Sequence, residues 1–141
     1  MNHEFKDCLK RKKIKEFSRG RALSEKEFRI AKSDLKRAKT SLENKDYKWA
    51  TIQSYYSMFH SARALLYAKN YRERSHYCLI VAMRTLYVEK KLLPLHLVEG
   101  FKKAKTLREN ADYYDEWSEI GAKTILKLAG EFLAKSTEIL K

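Results

Sequence analysis

A chain of 141 residues is long enough to bury one core and too short to divide into two. Its 31 Lys and Arg against 18 Asp and Glu leave a formal charge of +13, which points either to a polyanionic partner or to the solvated basic helix faces of a heat-adapted protein. No run approaches the ~18 consecutive apolar residues of a membrane helix, and the opening MNHEFKDCLKRKKIKEF lacks the apolar block of a signal peptide. A cytoplasmic protein is expected.

Only four glycines and one proline punctuate the sequence, and its apolar residues recur at helical spacing almost throughout. An all-α fold follows. Residues 3–17 read as a basic helical segment with Phe5, Leu9 and Phe17 among many lysines, closed by the Ser18–Arg19–Gly20 break. Residues 1–23 are therefore taken as a loosely docked N-terminal arm, and 24–141 as the bundle.

Ser24 followed by Glu27 makes a capping-box pattern for a second helix, whose inner row is Phe28, Ala31, Leu35, Ala38 and Leu42. Asp46 can cap a third helix to about Asn70, with Ile52, Tyr55, Phe59, Ala62 and Leu66 as the best core row in the chain. After the loop KNYRERS, Ser75 can cap a fourth helix with His76, Ile80, Met83 and Tyr87 on its inner face, ending near Pro94. A fifth, about 95–112, carries Leu97, Phe101, Ala104 and Ala111. A sixth, about 117–140, carries Ile120, Ile125, Leu128, Ala129, Phe132 and Leu133. Short connections make neighbours antiparallel, so an up-and-down bundle of four to five main helices plus the arm is expected. Cys8 and Cys78 have neither CxxC spacing nor a second pair and read as reduced, semi-buried thiols.

Chemistry concentrates in three places. On a helical wheel Trp49, Tyr56, His60, Arg63 and Tyr67 share one narrow sector beside the third helix's apolar row. Such a seam either holds a nucleotide, with Arg63 on phosphate and a ring on the base, or is a boundary strip of half-wet side chains. His76 opens the fourth helix, where free amides and the dipole favour a neutral imidazole or a bound anion. Arg108, in LRENADYYDEW, falls on the inner face marked by Leu97, Phe101, Ala104 and Ala111. A buried guanidinium keeps its charge and requires a carboxylate or phosphate. Asp112, one turn on, is the structural partner. If the pair is shared, phosphate can compete for Arg108. There is no Gly-rich phosphate loop or HExxH, and the four histidines lack metal-ligand spacing, so no metal or other cofactor is expected.

The run YYSMFHSARALLYAKNYRERSH, Tyr55–His76, followed by LRENADYYD, resembles the small stand-alone prokaryotic HEPN-domain proteins, over about Ser24–Lys141. The resemblance implies a helical bundle, usually a homodimer, often paired with a minimal nucleotidyltransferase in a two-component or toxin–antitoxin system. Active members are metal-independent ribonucleases using an Arg-x4-6-His element lined up across the dimer interface. Arginine there binds the scissile phosphate and histidine assists proton transfer. Here the positions that histidine would take after Arg108 are Tyr113, Tyr114 and Asp115.

The expected function is accordingly a nucleotide- or RNA-binding accessory module, with Arg108, Arg63, Tyr56 and Tyr113 on phosphate or base. One alternative is a ribonuclease toxin in which His60 or His76 supplies the missing proton-transfer group. The other is a structural module whose basic surface meets an acidic partner protein.

Overall fold

A computed structural model describes residues 2–141. The elements run α1 (His3–Lys10), β1 (Ile14–Glu16), α2 (Gly20–Glu43), α3 (Tyr47–Tyr67), β2 (Tyr71–Glu73), α4 (His76–Met83, continued by the π-helical turn Arg84–Val88), α5 (Leu95–Tyr113) and α6 (Glu119–Ile139). This is an all-α bundle, as expected, with one small two-stranded sheet. No helix among the described residues is long and apolar enough to cross a membrane.

α3 is the central helix, packed against α2, α4, α5 and α6. Its contact with α2 is close because the facing positions are small: Ala31 and Ala38 meet a face containing Ala50, Ser57 and Ala64, all fully buried. Ser57 Oγ donates to the Ala31 carbonyl and Ser24 Oγ to the Ala64 carbonyl, both at 2.8 Å, so hydroxyls that would otherwise be stranded fasten two antiparallel backbones. Where the pair closes, a Cβ on Gly20 would stand 2.4 Å from the Tyr67 carbonyl oxygen. On the other side of α3, Tyr55, Met58, Leu65 and Leu66 join Leu79, Met83, Tyr87, Leu97, Phe101, Ile125 and Phe132 in one core. Tyr87 places its hydroxyl on the Leu65 carbonyl at 2.6 Å.

Two expected caps form: Asp46 accepts from the Trp49 amide and Ser75 from the Cys78 amide. The capping box at Ser24 does not. α2 begins four residues earlier, at Gly20, so Ser24 lies inside it and its hydroxyl turns to Ala64, while Glu27 turns to His60. Ile120, expected in the core, is 79% exposed, because at 100° per residue it lies on the side of α6 opposite the buried Ala122, Ile125, Ala129 and Phe132.

The arm differs most from expectation. It is α1 followed by β1 rather than one helix, broken where Lys12 takes a left-handed φ of 58°. β1 pairs antiparallel with β2, out of what read as a plain loop, with Ile14 opposite Glu73 and Glu16 opposite Tyr71. Phe5, Cys8 and Ile14 are buried to within 1%. The arm is thus docked. Cys8 and Cys78, expected as free thiols, form a disulfide that ties α1 to the first turn of α4. Their separation of 70 residues gives no local spacing signal. Only the packing of α1 on α4 brings them together.

Candidate functional site

The seam on α3 separates into two clusters. At one, His60 Nδ1 lies 2.6 Å from Glu27 Oε2, and Arg63 donates to Glu73 Oε2 at 2.8 Å with Glu27 Oε1 3.6 Å away. Both carboxylates are nearly buried, their side chains 11% and 7% exposed. The guanidinium also lies over Phe59, 4.5 Å from its ring centre. Arg63 and His60 are therefore occupied with carboxylates from α2 and β2. Neither α2 nor β2 had been expected to supply them, and the signal was an acidic residue in an otherwise basic segment. Trp49, at the far end of the seam, is half exposed.

The second cluster forms around Arg108, on the face of α5 that meets α3. Its Cζ lies 5.5, 5.2 and 5.3 Å from the ring centres of Tyr55, Tyr56 and Tyr113. Nη2 donates to the Tyr56 hydroxyl at 2.6 Å and stands 3.4 Å from Asp112 Oδ2. Asp112 is 38% exposed, so this pair holds little energy and can be exchanged for another anion. Arg108 Nε is buried with no partner. Burial opposes the guanidinium's charge, but Tyr56, Tyr113, Tyr55 and Asp112 more than offset it, and the cation is maintained. Tyr55 is pushed up to about 12, chiefly by burial, and remains a neutral phenol.

His76 reaches the same tyrosine from α4. Its ring stacks 6.0 Å from Tyr55 and lies 4.9 Å from Phe101, and its Nε2 is buried without a hydrogen-bond partner. Burial, then the positive charges of Lys105 and Arg108, pushes its pKa down to about 4, with Glu109 opposing. It is a neutral imidazole at pH 7. Tyr55 thus has a fixed cation and an unprotonated base as neighbours. That role was missed from sequence, where Tyr55 read only as a core position.

The residues that follow Arg108 take distinct places. Tyr113 ends α5 with its ring against Arg108, Tyr114 is 70% exposed, and Asp115 adopts a φ of 56° and pairs with Lys48 at 3.1 Å. Among the described residues, no group of three or more His, Cys, Asp or Glu is placed to hold a metal ion.

The HEPN domain model matches residues 24–140. The chain is also similar to "Putative toxin MJ0605" of Methanocaldococcus jannaschii, 34% identical over 113 residues, which covers 79% of this chain and 84% of the relative. The match spans the bundle from within α2 to the end of α6 and includes both clusters, so this chain belongs to the HEPN-domain family.

Proposed function

We propose that the chain is a toxin-type HEPN module that binds a nucleotide or RNA phosphate at Arg108, works as a homodimer, and acts with a minimal nucleotidyltransferase. One observation carries the reading: Arg108 is held in place by three tyrosine rings yet satisfied by only one phenol and one half-exposed carboxylate. A guanidinium that merely braced a fold would be saturated by carboxylates, as Arg63 is by Glu73 and Glu27. Phosphate offers the bidentate, charge-assisted partner that Asp112 supplies only at 3.4 Å. The dimer is supported by Tyr113, Tyr114, Trp117 and Ile120, large apolar side chains left exposed from the end of α5 to the start of α6. The nucleotidyltransferase partner rests on the family's usual pairing.

A second reading, a metal-independent ribonuclease, is favoured by His76. An unprotonated imidazole stands beside the arginine's own tyrosine and could accept a proton from a ribose 2′-hydroxyl, with a driving force that its pKa of about 4 keeps small.

The test is binding and cleavage of ATP and single-stranded RNA oligonucleotides in EDTA, at low and moderate salt. Binding lost in Arg108→Ala, weakened by salt and unaccompanied by cleavage is the expected result. Cleavage abolished by Arg108→Ala and His76→Ala but kept by His60→Ala would select the ribonuclease. Indifference of binding to Arg108→Ala would leave the structural interaction module. Sedimentation showing only monomer at micromolar concentration would refute the dimer.

A further inference from the structure

Lys102, Lys105 and Arg108 recur every three residues along α5, forming one slanted row that rises about 4.5 Å per step. Lys102 and Lys105 also line a groove of about 270 Å³ between α5 and α4, whose opposite wall is His76, Tyr77, Ile80 and Arg84. Arg84 belongs to the π-helical turn that ends α4. Three carboxylates accompany Lys102, Lys105 and Arg84: Glu99 and Glu109 on α5, and Glu4 of α1, which accepts a hydrogen bond from the hydroxyl of Tyr77 on the groove wall. Glu99 lies 2.6 Å from Arg84 Nη2 and 3.8 Å from Lys102 Nζ, and Glu109 lies 3.3 Å from Lys105 Nζ.

Cations and carboxylates therefore balance in the groove, and its positive charge becomes available where a ligand anion displaces the carboxylates. Its ion pairs are exposed, with Glu99 49% and Glu109 37% accessible, and such pairs yield readily to a competing anion. From Arg108 to Lys105 the row rises about 4.5 Å and turns about 60°, a step comparable to that between neighbouring phosphates of one strand.

We propose that the α4–α5 groove is a second phosphate subsite, lined by Lys102, Lys105 and Arg84, which takes the phosphodiester next to the one held at Arg108. This rests on the reading of Arg108 as a phosphate site and sharpens it: the ligand is a single nucleic-acid strand rather than a free mononucleotide. The contact is ionic and hydrogen-bonded, with Thr106 at the rim as a further hydroxyl donor.

The experiment compares adenosine 5′-monophosphate, the 5′-phosphorylated dinucleotide pApA and a six-nucleotide adenosine oligomer, each in ribo and deoxy form, by titration calorimetry. The proteins are wild type, Lys102→Gln/Lys105→Gln and Arg108→Ala, each checked for folding by thermal melting. Wild type should bind pApA about tenfold more tightly than the mononucleotide, the size of one good charge-assisted contact. The double lysine variant should lose that gain and leave mononucleotide binding unchanged. Its salt dependence with the oligomer should fall by about 0.7 in log–log slope for each phosphate contact removed. A gain in both sugar forms assigns recognition to the phosphodiester alone, and a gain confined to the ribo series assigns the strand as RNA. Equal affinity for mononucleotide and dinucleotide, or equal losses for both in the lysine variant, would overturn the second subsite while sparing Arg108. No binding by any ligand, or binding indifferent to Arg108→Ala, would overturn both.

Discussion

Acidification should destabilise this protein through His76, and the size of the effect follows from its surroundings. Burial, helped by Lys105 and Arg108, holds the folded-state pKa at about 4 against an ordinary 6.5. Between those values the unfolded chain takes up a proton that the folded chain refuses. Stability from this group is therefore complete above about pH 6.5, falls as pH drops toward 4, and is level below that. A difference of about 2.5 pH units at 1.36 kcal/mol per unit sets a ceiling of about 3.4 kcal/mol. The imidazole keeps some solvent access, and screening reduces the expected loss to about 2 kcal/mol. Urea unfolding measured at intervals from pH 7.5 to 4, on wild type and His76→Gln, isolates it. The comparison removes contributions common to both proteins, such as that of Asp34, whose carboxyl burial pushes up. Wild type should lose about 2 kcal/mol more than the variant across this range. Parallel curves, or an imidazole NMR titration centred near 6.5, would refute the assignment of His76 as a buried neutral base.

Breaking the disulfide with Cys8→Ser should cost about 4 kcal/mol, the loop-closure entropy of its 70-residue separation, read as a lowered urea midpoint that reductant reproduces in wild type. Arg63→Ala should cost about 3 kcal/mol by stranding Glu73, only 7% exposed, yet leave nucleotide affinity within twofold of wild type. Thermal melting and the binding titration together check it, and a large loss of affinity would return Arg63 to the phosphate site. Gly20→Ala forces a methyl to within 2.4 Å of the Tyr67 carbonyl and should destabilise by about 2 kcal/mol, measured by chemical denaturation.

The helices were legible because their signals are local. Apolar spacing marks the inner faces of α3 and α5, and Asp46 and Ser75 cap where a short polar side chain precedes a periodic run. Ile120 misled because it is apolar, although at 100° per residue it falls on the side of α6 opposite Ile125, Ala129 and Phe132. The three-residue strands were invisible: Ile14–Glu16 and Tyr71–Glu73 are too short to show alternation, and each exists only because the other is beside it. The same holds for charge pairing. Arg108 and Asp112 are one turn apart on one helix and could be matched from spacing, whereas Arg63 meets Glu27 and Glu73 through the packing of α2 and β2 on α3.

That difference explains why the two arginines diverge chemically although sequence placed both on phosphate. Arg63 sits where three elements converge, and two of them bring carboxylates. Arg108 sits where α3 brings tyrosines, which order a guanidinium without neutralising it. His76 approaches Tyr55 from α4, and its position depends on residues outside the matched family region. The first turn of α4 is capped by Ser75 and bound through Cys78 to Cys8 of α1. β2, which carries Glu73, is paired with β1 of the same arm. The arm therefore braces both clusters at once: it fixes the helix start that presents His76 beside Arg108's tyrosine, and the strand whose carboxylate holds Arg63.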